Sequence, residues 1–209
     1  MAKQPIIPLV KTRKEKGETY RACMEKHKKA MAEGFYFEAL LIDYAMIEDR
    51  LRSFLWHAGA FNRWEDNTKF CRMKASRELK ELIEANADKL PKRINLNRIS
   101  DKMECVRAIL KWIEKDESGS NESQYVQALR EQCKKLDGEK LKQTLDELDE
   151  WKKERNEIIH SLLNKAQYGI DGRAQRLAEE GLKIGREMDA QVRILKKGDK
   201  IRKAAQMQS

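Results

Sequence analysis

The chain has 209 residues, with 44 Lys and Arg against 35 Asp and Glu and a net charge of +9. Hydrophobic residues make up 40% and charged residues 38%, enough apolar material for a core but far more charge than the roughly 25% of an average globular protein. Only 3 Pro and 10 Gly are present, which excludes a loop-rich or collagen-like chain and favours long helices with charged faces.

Residues 1–17 read as an extended basic arm, because Pro5 and Pro8 oppose helix and Lys11, Arg13, Lys14 and Lys16 follow. A first helix is predicted over Glu18–Ala32, ended by Gly34. A second, Phe35–Ala58, is apolar nearly all round, so it is expected at the centre of a bundle, with Gly59 ending it. A third spans Thr68–Lys89 before Pro91, and a fourth spans Arg98–Lys115. Residues 117–123, ESGSNES, read as a linker, and a short helix over Gln124–Leu136 follows it. The sixth helix, Gly138–Gln167, is long. Tyr168-Gly169 and Asp171-Gly172 predict a turn, Arg173–Leu195 a last amphipathic helix, and KKGDKIRKAAQMQS a fraying tail. No repeat and no strand-length alternating run occurs. The fold class is therefore all-α, a multi-helix up-down bundle.

Cys23, Cys71, Cys105 and Cys133 are widely spaced with no C-x-x-C, so buried free thiols are expected rather than a zinc or redox site. No apolar run approaches the roughly 18 residues of a membrane span. The opening MAKQPIIPLVKTRKEK carries its charges on the wrong side for a secretory leader. A cytoplasmic protein with no membrane partner is expected.

The sixth helix holds an anomaly. At about 100° per residue, Leu141, Leu145, Leu148, Trp151, Ile158, Ile159, Leu162 and Leu163 form one apolar stripe, and Arg155 falls in its middle. Asn156 and His160 lie on its edge, four residues apart and therefore neighbours. Burying an unpaired arginine costs several kcal/mol. Three readings stand open: the side chain reaches out to solvent, it pairs with an acid of another helix, or the stripe faces a cleft or partner subunit. Asp43, Glu48 and Asp49 on the second helix are the candidate acids. Glu48, flanked by Ile47 and Leu51, is the preferred partner, against solvent exposure or local pairing with Arg50 and Arg52.

The run R-N-x-x-x-H, here Arg155, Asn156 and His160 in WKKERNEIIHSLLNK, resembles the signature of the HEPN superfamily (higher eukaryotes and prokaryotes nucleotide-binding domains). GFYFEALLIDYAMIEDRLRSFL is similar to that family's early helix, where an acid sits in an apolar segment. The resemblance covers about residues 18–167. It implies a helical bundle over those residues with inserted helices, preceded by the arm at 1–17 and followed by a C-terminal helix and basic tail at 168–209. It also implies metal-independent endoribonuclease activity of the kind found in toxin–antitoxin, abortive-infection and RNA-processing systems, with no cofactor. The family includes inactive members that only bind or dimerise. Some of its toxins carry Tyr two residues after the His, where a partner enzyme modifies it. Leu162 stands there in this chain, so that mode of neutralisation is not implied, although an antitoxin or regulatory protein partner is.

The residue types suit this chemistry. Histidine serves as base or acid near neutrality, arginine presents a planar fork to phosphate oxygens, and the Asn156 amide can orient His160 or the phosphate. His27 and His57 lie on other helices and read as structural or surface residues. With one histidine at the site, a homodimer bringing two copies of Arg155 and His160 together is expected. Lys11, Arg13, Lys14, Lys196, Lys197 and Lys200 are candidates for RNA-backbone contacts, or else belong to solvated tails. Of the four tryptophans, Trp56 and Trp64 are left to stack on bases, while Trp112 and Trp151 suit core packing.

Overall fold

The computed structural model describes residues 13–61, 69–91, 94–115, 122–162, 164, 167–197 and 199–207. Lys11 and most of the arm, Trp64, and most of the 117–123 linker lie outside these residues, as does the side chain of Arg13. Eight helices are described: α1 (Arg13–Ala32), α2 (Tyr36–Ala58), α3 (Lys74–Asn86), α4 (Ile99–Glu114), α5 (Gln124–Cys133), α6 (Gly138–Ser161), α7 (Gln167–Lys196) and α8 (Lys200–Gln206). No strand occurs among the described residues, and none of these helices is long and apolar enough to cross a membrane.

Local chemistry sets the helix ends. α1 and α2 both close through a glycine with positive φ, Gly34 at 79° and Gly59 at 103°. Phe35 N–H then donates to Ala30 O at 2.8 Å, and Ala60 N–H to Leu55 O at 2.9 Å. These bonds satisfy end carbonyls that a helix cannot satisfy itself. The Tyr125 hydroxyl, from α5, donates to Ala58 O at 2.5 Å. Ser123 accepts from Val126 N–H at 3.2 Å to start α5, and Asp137 accepts from Lys140 N–H at 3.0 Å to start α6. α3 stops at Asn86, short of the predicted Lys89. Its amide donates back to Leu82 O at 2.8 Å, and Glu104 of α4 accepts the N–H groups of Asp88 and Lys89 at 3.0 and 3.1 Å.

α2 is the central helix, as its all-round apolar surface requires. It borders α1, α4, α7 and α8 and buries Leu40, Ile47, Leu51, Phe54 and Leu55 almost completely. Its main neighbour is α7, where Ala174, Ala178, Gly181 and Gly185 recur every three or four residues and let the two backbones approach closely. A Cβ added to Gly181 would meet the Trp151 ring at 2.9 Å and Asp43 Cβ at 3.0 Å. Polar ties reinforce the junction of α1, α2 and α7. Lys16 donates to Asp49 at 2.9 Å, and Arg50 donates to Asp49 at 2.7 Å and to Asp189 at 2.5 Å.

The structure corrects three expectations at the C-terminal end. The predicted turn at Tyr168-Gly169 and Asp171-Gly172 lies inside α7, and α6 ends at Ser161 rather than near Gln167. Each helical glycine costs about 1 kcal/mol against Ala, but helix here buries Ile170, Ala174 and Leu177, which outweighs that cost. The predicted fraying tail instead forms α8, which buries Ile201 and Ala205 and packs on α5. Ile201→Ala is therefore expected to cost about 2 kcal/mol, read as a lower urea midpoint. An unchanged midpoint would mean that α8 adds nothing to the core.

Candidate functional site

α4 runs antiparallel to α6. Lys142 pairs with Glu114, Arg107 with Asp146 and Asp149 at 2.7 and 3.0 Å, and Lys152 donates to Ser100 at 3.0 Å. α4 begins at Ile99, so α6 projects past its neighbour beyond Lys152. The buried face of α6 changes at that point. Leu141, Leu145, Leu148 and Trp151 are buried, followed by Ile158 and Ser161, while Ile159 and Leu162 on the original stripe stay partly exposed. Arg155 sits where the stripe loses its cover.

The half-buried Arg155 lies with its guanidinium carbon 4.3 Å from the centre of the Tyr44 ring of α2. Its Nη1 donates to Asn156 Oδ1 at 3.1 Å, and its Nε is buried without a partner. No carboxylate pairs with it among the described residues. The preferred pairing with Glu48 does not form, because Glu48 accepts from the buried Lys102 at 2.5 Å instead. Asp49 binds Lys16, Arg50 and Arg52, in keeping with the local-pairing alternative. Cation–π contact, rather than an ion pair, accommodates the charge in the stripe.

Asn156 and His160 are exposed. Asn156 Oδ1 accepts from Arg155, and no hydrogen bond joins the Asn156 amide to His160 among the described residues. The His160 ring makes no hydrogen bond among the described residues; its backbone carbonyl accepts from Asn164 at 3.5 Å.

The basic candidates are not gathered at this point. Lys14, Lys196, Lys197 and Lys200 are exposed. Arg202 of α8 lies 3.8 Å over Trp56, which places that basic end 12 residues from Tyr44, about 18 Å along α2. Trp151 is buried and donates to Leu177 O at 2.7 Å, and Trp112 stacks under Arg130 at 4.3 Å, so both serve packing. A groove of about 910 Å³ between α4, α6 and α7 contains none of Arg155, Asn156 or His160. Its walls carry Asp101, Glu104, Asp146, Glu147, Glu150 and Glu154, a poor path for a phosphate backbone.

Residue patterning did not reveal the partnership of the buried His27 and Asp43, whose Nε2 and Oδ2 lie 3.1 Å apart. Asp43 stood out as an acid in an apolar helix, but His27 had no signal beyond its type. Burial pushes the Asp43 carboxyl up, to about 8. Burial and the nearby Arg186 hold His27 below its usual value. The folded pair thus keeps a single proton up to about pH 8. Unfolded, His27 loses its proton near 6.5 and Asp43 near 3.8. From 6.5 down to the lowered folded value of His27 both states hold one proton and stability is flat. From 6.5 to 8 only the folded state holds it, so stability falls as pH rises, by up to about 2 kcal/mol. Denaturant titrations across that range should show the decline in the parent and its loss in Asp43→Asn.

Cys105 and Cys133 are buried, with thiols pushed up to about 12 by burial, whereas Cys23 and Cys71 are partly exposed; all four are free. No cluster of metal-ligating side chains is found among the described residues. Comparison with protein-family models, with curated proteins and with solved structures gives no match in any of the three.

Proposed function

We propose that the protein is a HEPN-type, metal-independent endoribonuclease acting as a homodimer, with Arg155 and His160 at the shared site. The reading rests on one observation. Arg155 lies where the apolar stripe of α6 loses its cover, with no carboxylate partner among the described residues, five residues before the exposed His160. An arginine kept from acids remains available to a phosphate. In such a reaction a base takes the 2′-hydroxyl proton, the 2′-oxygen attacks phosphorus, and the 5′-oxygen leaves with a proton. The products carry a 2′,3′-cyclic phosphate and a 5′-hydroxyl. Two His160 side chains, one per protomer, supply base and acid, and Arg155 stabilises the charge on the phosphoryl oxygens.

A second copy also has a surface to cover. Leu41, one turn before Tyr44 on α2, is 56% exposed, and Ile159 and Leu162 are partly exposed on α6. An exposed large apolar side chain beside a polar cluster fits an interface. A second reading, a catalytically silent RNA-binding or protein-interaction module, is favoured by the His160 ring, which makes no hydrogen bond within one protomer among the described residues.

The test is incubation of mixed RNA with parent, Arg155→Ala and His160→Ala proteins in EDTA, followed by end-group analysis. Cleavage by the parent alone, with cyclic phosphate ends, supports the enzyme, and equal background from all three overturns it. RNA retained at low salt without cleavage favours the binding module. Light scattering that shows a monomer at micromolar concentration would remove the shared site.

A further inference from the structure

The uncovered end of α6 touches α2 through one side chain that carries the proposed chemistry. Arg155 spans the two helices, its guanidinium carbon 4.3 Å from the Tyr44 ring centre. The three nitrogens of that guanidinium are in different states. Nε is buried, Nη1 is held by Asn156 at 3.1 Å, and Nη2 has no partner among the described residues. An arginine on a flexible four-bond stem would otherwise sample many orientations. Here the ring holds the guanidinium carbon at 4.3 Å and the amide ties down Nη1.

The surroundings keep the arrangement free of competing carboxylates. Glu48 lies one turn beyond Tyr44 on α2 and is close enough, with Arg155, to influence its phenol. The buried Lys102 draws Glu48 into a 2.5 Å contact. Burial raises the Tyr44 phenol above its usual value, so the ring remains a neutral platform throughout the range in which His160 would work.

We propose that Tyr44 is the positioning residue for Arg155, its ring fixing the guanidinium so that Nη2 is presented to a phosphate oxygen of bound RNA. This rests on the endoribonuclease reading and adds to it the residue that orients the Arg. Tyr44 itself touches no substrate. A cation held in place by stacking acts mainly where alignment matters, in the transition state, because a misaligned arginine still attracts RNA by its charge.

The test compares parent, Tyr44→Phe, Tyr44→Leu and Tyr44→Met, all first shown by circular dichroism to be folded. Tyr44→Phe keeps the ring and is expected to cleave within about twofold of the parent. Tyr44→Leu and Tyr44→Met are expected to lower kcat by about tenfold or more with KM nearly unchanged. In a ¹H–¹⁵N spectrum the Arg155 Nε–H signal, assigned by its loss in Arg155→Lys, should be shifted upfield by the ring current in the parent and in Tyr44→Phe only. A signal in the same place in Tyr44→Leu, or full activity in both ring-less variants, overturns the proposal while leaving the enzyme intact. A parent that cleaves no RNA overturns the endoribonuclease reading first, and the proposal with it.

Discussion

His160→Ala is expected to lower metal-independent RNA cleavage by about a hundredfold or more, the usual contribution of a positioned acid or base. Arg155→Ala is expected to do the same by withdrawing the cation from the phosphoryl oxygens. Arg155→Lys should rescue little, because a lysine ammonium offers neither the planar stack on Tyr44 nor a fork for phosphate. The two Ala variants also report on the assembly. Each protomer presents its own Arg155 and His160, so a mixed dimer of Arg155→Ala and His160→Ala subunits holds one intact Arg155 and one intact His160. Because the proposed reaction uses both His160 side chains, mixing the two inactive variants is expected to leave the mixture inactive, whereas excess His160→Ala added to the parent should depress activity as mixed dimers form. Activity restored in the mixture would show that one His160 suffices, and parent activity unmoved by excess His160→Ala would show that the site is not shared.

Gly181→Val is expected to destabilise the fold by about 4 kcal/mol, adding the cost of overpacking to the disturbance of a buried polar pair. The position of an added Cβ is 2.9 Å from Trp151 Cζ2, 3.0 Å from Asp43 Cβ and 3.1 Å from Asp43 Oδ2. The indole is buried and fixed by its bond to Leu177 O at 2.7 Å. Asp43 is fixed by His27 at 3.1 Å. Neither can yield without leaving a polar atom unpaired or opening the contact between α2 and α7. Gly185 provides the internal control, one turn further along α7. A Cβ there meets only Ile47 Cγ1, at 3.7 Å, an ordinary contact. Gly185→Ala is therefore expected to stabilise by about 0.5–1 kcal/mol through helix propensity. Thermal melts of the two variants should move in opposite directions. Equal shifts would mean that α7 does not approach α2 as closely as described.

The candidate site shows how far residue patterning reaches. Setting Leu141, Leu145 and Leu148 on one face identified Arg155 as a charge in the stripe and Asn156 and His160 as its rim. It also led to the expectation of Glu48 as the partner, which fails because Lys102, a lysine on α4 with no marking in the sequence, takes that carboxylate at 2.5 Å. Tyr44 was legible only as one more aromatic in an apolar helix. Its role depends on α6 extending beyond the start of α4, a consequence of two helix lengths and their pairing that neither helix encodes alone.

The sequence by itself determined the helical class, the glycine-closed ends of α1 and α2 and the central place of α2, because these follow from local backbone preference and from the period of apolar residues. It also determined which helix carries the anomalous arginine. Only the tertiary structure decided that the glycines at 169 and 172 lie within α7, that the basic tail forms a helix with buried Ile201, and that Arg155 rests on an aromatic ring instead of a carboxylate. Each of these depends on what the neighbouring helix offers. Burial can outweigh propensity by a few kcal/mol, and a cation without a local partner settles on the favourable surface that packing brings to it.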